Sequence, residues 1–223
     1  MQLETLRALF HLTVAYGWSH GQDDVVAAFL HGDLDETIYM RQPEGYNDGT
    51  GRVARLLHSI YGLKQTARIW NKLMHQKLIT VGYGQLTSDT AIYLHNHNDD
   101  ITILAIYIDN VMSFRNTKPG LSKSRAELHK LFEMKEEDPN WVMGIKLIKN
   151  HKEATVSIDH SLYVNAVLRR FGMDDCNTTR TPLDSGNVLS VHDCPQTDEE
   201  RSEMHTVPYW ELIGTLTWIA VVL

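Results

Sequence analysis

Two acidic positions far apart in the chain could share a divalent cation. Asp109 follows the apolar run ITILAIYI at 101–108, whose β-branched residues predict a buried strand. Asp109-Asn110 is followed by a second apolar run, Val111 to Phe114. Two such strands around a two-residue polar tip make a hairpin that displays a carboxylate without burying it. Upstream, QDDVVAAFLHGD places Asp23 and Asp24 in a short predicted strand at 22–27. Pairing of the two regions would give carboxylates for Mg²⁺, and two ions about 3.5–4 Å apart would clamp both oxygens of an in-line phosphoryl transfer. Spacing alone is a weak signal, and the residues by themselves favour a solvated turn and a solvated acidic strand end.

The other constellations are less specific. The HNHND run at 95–99 and His11, His20 and His31 lack metal-ligand spacing, and Cys176 and Cys194 form no CxxC pair. Residues 51–88 carry Arg52, Arg55, Lys64, Arg68, Lys72 and Lys77 with no acid, interleaved with Tyr61, Trp70 and Tyr83. Such a segment could track a phosphate backbone or present a solvated basic helix face. The net charge of −7 taken alone argues against a nucleic-acid binder. It conceals alternation, because acidic stretches at 1–50 and 89–114 each precede a basic one, at 51–88 and 115–152.

These residues must be held by a mixed α/β framework. Leu3, Leu6, Leu9, Phe10 and Val14 recur at helical spacing, and Gly17 can end that helix. Strands are predicted at 37–40 and 52–57, and helices at 66–80 and 121–133. A strand pair is predicted at 142–149 and 154–158, then a helix capped by Asp159 and ending at Gly172. Residues 174–206 read as a loop and 209–222 as a packed final helix. A chain of 223 residues, 43% hydrophobic and 22% charged, is one or two globular domains rather than a disordered segment. No apolar run approaches the ~20 residues of a membrane helix. With no signal peptide and two cysteines, the expectation is a reduced, intracellular, cytoplasmic protein.

The ordered motifs QDDVVAAFLHGDL (22–34), IYMRQPEGY (38–46), SIYGLKQTARIW (59–70), IYIDN (106–110), LFEMKEED (131–138), WVMGIKLIKN, HSLYVNAVLRRFGMDDCNTTRTPLDSG and YWELIGTLTWIA cover nearly the whole chain. In this order they resemble the reverse transcriptase of copia-type LTR retrotransposons, part of a Pol polyprotein. The resemblance implies a right-hand polymerase palm (α+β) with an antiparallel sheet, partial fingers and a thumb-like C-terminal part. It divides a single truncated domain into palm at 1–34, a fingers remnant at 35–88, palm with the YIDN hairpin at 89–140, and a primer-grip and thumb-like region at 141–223. It makes Asp24 and Asp109 the ligands of two Mg²⁺ ions, with Asn110 beside them. It places Phe29 as the aromatic that excludes a ribose 2′-OH, and Tyr61, Gly62, Lys64, Gln65, Arg68 and Tyr107 on the nucleotide and template side. The implied partners are an RNA template, a DNA primer and dNTP, inside a virus-like particle in the parent element, with no membrane.

Four departures from the family pattern stand out. Asn110 replaces an aspartate, losing a full charge while keeping an acceptor oxygen. Thr66-Ala67 replaces Ala-Pro, losing a φ-fixing proline. Lys135-Glu136-Glu137-Asp138 replaces Lys-Asp-Leu-Gly. The chain also starts after the family's basic fingers segment and stops before any ribonuclease H domain. The expectation is a degenerate, truncated copy of an RNA-directed DNA polymerase; the competing readings are a non-catalytic RNA or RNA–DNA hybrid binding fragment and a non-functional pseudogene product.

Overall fold

The computed structural model describes residues 1–97, 99–181, 186 and 188–222. Asn98 of the HNHND run, and 182–185 and 187 of the predicted 174–206 loop, lie outside the described residues. The chain divides into two compact units, Met1–Val142 with Ile148–Ser157, and Met143–Leu147 with Ile158–Leu223.

In chain order the elements are α1 (Leu3–Ala15), β1 (Ser19–Val25), a 3₁₀ turn (Ala28–His31), β2 (Tyr39–Arg41), β3 (Val53–Arg55), α2 (Thr66–Thr80), β4 (Gly84–Gln85), β5 (Ile92–His97), β6 (Asp100–Tyr107), β7 (Asn110–Arg115), α3 (Lys118–Leu131), β8 (Met134–Glu137), β9 (Trp141–Val142), β10 (Ile145–Asn150), β11 (Thr155–Asp159), α4 (Ser161–Arg170), α5 (Asp198–His205) and α6 (Tyr209–Val222). The main sheet runs β4-β5-β6-β7-β1-β8, antiparallel throughout. Smaller sheets pair β2 with β3 and order β11-β10-β9. The fold class is therefore mixed helix and antiparallel sheet, as expected.

The two-residue period of a strand sorts β1 into two faces. Val25 joins Val111, Leu104 and Tyr93 against Trp70, Met74 and Leu78 of α2 and Leu128 of α3. The opposite face is closed at one end by α1, whose Phe10 ring stands edge-on to Phe114 at 5.3 Å and to His20 at 5.6 Å. His20 is thus held between rings, with Lys149 and the Pro139 carbonyl at its Nε2. Burial, and secondarily the Lys149 ammonium, lower its pKa from 6.5 to about 4. Protonation then favours the unfolded chain. The contribution of His20 is complete above pH 6.5 and is lost as pH falls toward about 4. Urea titrations at pH 7 and pH 5 should show a smaller drop in midpoint for His20→Gln than for the parent.

Several elements differ from the sequence reading. The tip of the β6–β7 hairpin is Ile108-Asp109, one residue earlier than Asp109-Asn110, and Asn110 opens β7. Strands β5 and β8 were not anticipated. The 174–206 segment contains α5, whose Thr197–Glu200 capping box satisfies two terminal N–H groups reciprocally. Asp159 does accept the Ser161 N–H at 2.9 Å, but His160 is the residue directly before α4. Helix α6 forms as expected but is packed along one side only. Leu212, Trp218 and Ile219 are half-buried and Val222 is buried, whereas Trp210 is 81% exposed and Leu216 49%, because its apolar residues run all round the helix and only one stripe is covered.

Candidate active site

The β6–β7 tip is an unfavourable turn held in place from outside. Tyr107 and Asn110 form its closing pair, leaving Ile108 and Asp109 as the loop. Ile108 has φ of +59° and Asp109 is not left-handed, the pattern of a II′-type hairpin turn in which glycine is the usual first residue. A β-branched residue in this region costs about 1–3 kcal/mol. Two neighbours offset that strain. The Trp70 indole N–H donates to the Ile108 carbonyl at 2.7 Å, and the Val25 N–H donates to the Asp109 carbonyl at 2.9 Å. Asp109 is thereby fixed relative to both α2 and β1.

Strand β1 lies between β7 and β8, so Asp24 faces Asn110 on one side and Lys135 on the other. Burial holds the Asp24 carboxyl above the ordinary carboxylate range; the Asp109 and Glu137 carboxylates push it the same way and Lys135 opposes them. Two residues back on the same face, the Gln22 amide Nε2 donates to Asn110 Oδ1 at 2.9 Å and to Glu137 Oε2 at 3.0 Å. The structure therefore brings Asp24, Asp109 and Asn110 together at the half-buried end of the sheet. These are hard oxygen donors, the chemistry that suits Mg²⁺ or Mn²⁺.

Asp23, the alternative left open by the residues alone, points to the other face and is fully buried. The Arg125 fork grips it, Nε to Oδ2 at 2.7 Å and Nη2 to Oδ1 at 2.6 Å. His129, one helical turn further along α3, lies 2.9 Å from the same Oδ1, and Glu136 lies 3.3 Å from Arg125. Asp23, His129 and Glu136 offer ligand atoms within 4.8 Å of one another, yet both Asp23 oxygens are already taken by the guanidinium. This cluster is an ion-pair anchor that ties β1 to α3.

The remaining predicted residues fall into two groups. Phe29 sits in the 3₁₀ turn after β1, where the Ser59 hydroxyl donates to its carbonyl and the Tyr61 ring packs 4.8 Å away. Phe29 and Tyr107 also line one cavity of about 390 Å³, together with Trp70, Tyr93 and Ile108. Gly62, at φ +95°, makes the turn before α2. Lys64 and Arg68 are exposed there, and the Gln65 amide donates to Glu36 at 3.0 Å; none of these three lines that cavity. Sequence reasoning missed Gln22, Glu137, Arg125 and Trp70 as supports of the site. Gln22 had a signal, being two residues before Asp24 on a strand.

The description "Reverse transcriptase (RNA-dependent DNA polymerase)" matches residues 1–185. The chain is 32% identical to the retrovirus-related Pol polyprotein from transposon TNT 1-94 of Nicotiana tabacum, over 99% of this chain and 17% of that protein. It is 27% identical to the Pol polyprotein from transposon RE2 of Arabidopsis thaliana, over 97% of this chain and 14% of that protein. Against the transposon Ty1-DR5 Gag-Pol polyprotein of Saccharomyces cerevisiae it is 28% identical over 51% of this chain and 6% of that one. The chain thus spans less than a fifth of these polyproteins. With its motifs in order along that shared stretch, the chain belongs to the reverse transcriptase (RNA-dependent DNA polymerase) family, in the form carried by the Pol polyproteins of copia-type retrotransposons.

Proposed function

We propose that this chain is an RNA-directed DNA polymerase domain whose palm is built on strands β5, β6, β7, β1 and β8 of the main sheet, with Asp24 and Asp109 as the pair that holds Mg²⁺. The observation that carries this reading is the strand register, which sets Asp24 opposite Asn110 and ties the Asp109 backbone to Val25. We assign 1–34 and 89–140 to the palm, 35–88 to fingers, and 141–223 to the primer-grip and thumb-like part.

Two Mg²⁺ ions bound there would lower the pKa of the primer 3′-hydroxyl and neutralise charge on the departing pyrophosphate. The protein's own contribution is position and charge. Asp24 projects from a β-strand and Asp109 from a pinned turn, so the backbone that carries both carboxylates is held before a cation arrives. Phe29, wedged by Tyr61, would exclude a ribose 2′-OH by bulk. Tyr107 would share that wall, with Gly62, Gln65 and the exposed charges of Lys64 and Arg68 toward the nucleotide and template phosphates. The substrates are RNA template, DNA primer and dNTP.

Asn110 makes this copy a weak catalyst in the same reading. It brings no charge, and its oxygen is already bonded to Gln22. On poly(rA)·oligo(dT) with Mg²⁺ or Mn²⁺, the parent chain should extend the primer little or not at all. Asn110→Asp should raise extension at least about tenfold, or ~1.4 kcal/mol of transition-state stabilisation. Asp24→Ala or Asp109→Ala should abolish whatever remains. Full activity in the parent would overturn the degenerate reading. No extension by Asn110→Asp, with salt-sensitive hybrid binding indifferent to Asp109, would replace the polymerase reading by a non-catalytic binding fragment.

A further inference from the structure

We infer that the β2–β3 ribbon is a grip for single-stranded nucleic acid, in which Tyr39 stacks on a base and Arg41 and Arg55 hold the flanking phosphates. The inference rests on the polymerase reading only in identifying that strand as the unpaired template; the grip itself stands on the ribbon.

The register builds the surface. Tyr39 lies opposite Arg55, and Arg41 opposite Val53. Side chains two apart on a strand, and those directly opposite across an antiparallel pair, share a face. Tyr39, Arg41, Val53 and Arg55 therefore project from one side. The Leu56 N–H donates to the Ile38 carbonyl at 2.9 Å, which carries the pairing on toward Leu57. Exposure alternates accordingly. Ile38, Met40, Ala54 and Leu56 are half-buried, whereas Tyr39, Arg41, Val53, Arg55 and Leu57 are exposed. Tyr39 is 60% exposed, a ring offered to solvent with one arginine along the strand and another across it.

Charge selects the occupant. Among the described residues neither the Arg41 nor the Arg55 guanidinium has a partner. Neighbouring polar groups are engaged: Arg52 with Asp48, His58 with Asp33, and the Gln65 amide with Glu36 at 3.0 Å. A guanidinium fork matches phosphate oxygens, and an aromatic ring accepts any base by stacking. An apolar protein surface would desolvate both cations with nothing to pair them. A second copy of the same face would set four guanidinium groups against one another. A nucleic-acid strand supplies both counter-charge and rings. The opposing charge is Asp35, which lines a groove of about 190 Å³ with Arg55 and Leu57. The root of the ribbon is fixed beside Phe29. Asp33 bridges His58, the Ser59 N–H donates to the Gly32 carbonyl at 2.8 Å, and the Ser59 hydroxyl donates to the Phe29 carbonyl. A strand held on the ribbon is thereby tied to the turn that carries Phe29.

Fluorescence anisotropy of a labelled oligo(rU) of about 12 nucleotides, without primer and in EDTA, reads the grip without catalysis. Tyr39→Ala should weaken binding about tenfold, and Tyr39→Phe less than about twofold. Arg41→Gln and Arg55→Gln should each lower the slope of log K against log salt by about 0.7. Lys118→Gln, which removes an exposed charge from α3, should leave that slope in place, and Asp35→Asn should tighten binding. Circular dichroism of each variant checks that the fold is retained. Unchanged binding in Tyr39→Ala, or an equal loss of slope in Lys118→Gln, overturns the inference. A parent dimer in analytical ultracentrifugation that Tyr39→Ala dissolves, with oligo(rU) binding untouched, would assign the face to a second copy instead. Asp109→Ala should bind oligo(rU) like the parent, so failed primer extension with intact, Tyr39-dependent binding would remove the polymerase reading alone.

Discussion

Arg125→Ala should destabilise the N-terminal unit by about 3–5 kcal/mol, the usual consequence of stripping a buried ion of its partner. Asp23 has no exposed surface, and the guanidinium of Arg125 supplies hydrogen bonds to both of its oxygens. The same side chain also donates to the Gln22 carbonyl at 3.3 Å and pairs with Glu136, so its loss frees a stretch of β1 as well as a charge. His129, 2.9 Å from Asp23 Oδ1, reaches only one of the two oxygens that the Arg125 fork holds, so it does not replace the guanidinium. The urea midpoint at pH 7 reads the effect. The double replacement Asp23→Leu with Arg125→Met removes both charges and should recover most of the stability. A double variant as unstable as Arg125→Ala would show that packing, not the unpaired carboxylate, sets the cost.

The second large effect is expected at Trp70. The side chain is 3% exposed in the α2 core, and its ring meets Phe132 edge-on at 5.2 Å. Trp70→Ala should cost about 3–5 kcal/mol through the cavity it leaves. Trp70→Phe separates the two roles, keeping most of the packing while deleting the hydrogen bond to the Ile108 carbonyl. Its global cost should be about 1–2 kcal/mol. Its local effect should be larger than that figure suggests, since the strained Ile108 backbone loses a restraint. Amide hydrogen exchange at Asp109 and Asn110 should accelerate in Trp70→Phe while exchange in β5 changes little. Equal acceleration in both places would mean that the indole hydrogen bond does not specifically hold the tip.

That the regions of Asp24 and Asp109 adjoin was legible only from the order of the family motifs, because Asp109 follows the apolar run of β6 but β1, SHGQDDV, carries almost no apolar pattern. The two-residue alternation of β1 also explains why adjacent aspartates do different work, Asp23 inside and Asp24 at the open end. The hairpin tip misled by one residue. Asp-Asn is a better turn dipeptide than Ile-Asp, and only the tertiary contacts from Trp70 and Val25 make the poorer choice hold. Strand β8 had little local signal, because Lys135-Glu136-Glu137 lacks the apolar alternation of a half-buried strand; it forms by pairing with β1. Helix α5 did have a signal, the Thr197-x-x-Glu200 capping box, hidden in a stretch polar enough to look like loop. Exposure of α6 was not legible at all, since an apolar composition states what a helix would bury and not whether anything covers it.

The sheet ends at β8 on one side and at the two-residue β4 on the other. An open edge invites another chain to add a strand, and β8 meets that hazard with Lys135, Glu136 and Glu137, all exposed. Charge that faces Asp24 and Arg125 therefore also governs how concentrated solutions of the protein behave. Neutralising Glu136 and Glu137 together removes the acidic repulsion between two such edges, so colloidal stability and the electrostatics of the site are tied to the same short strand.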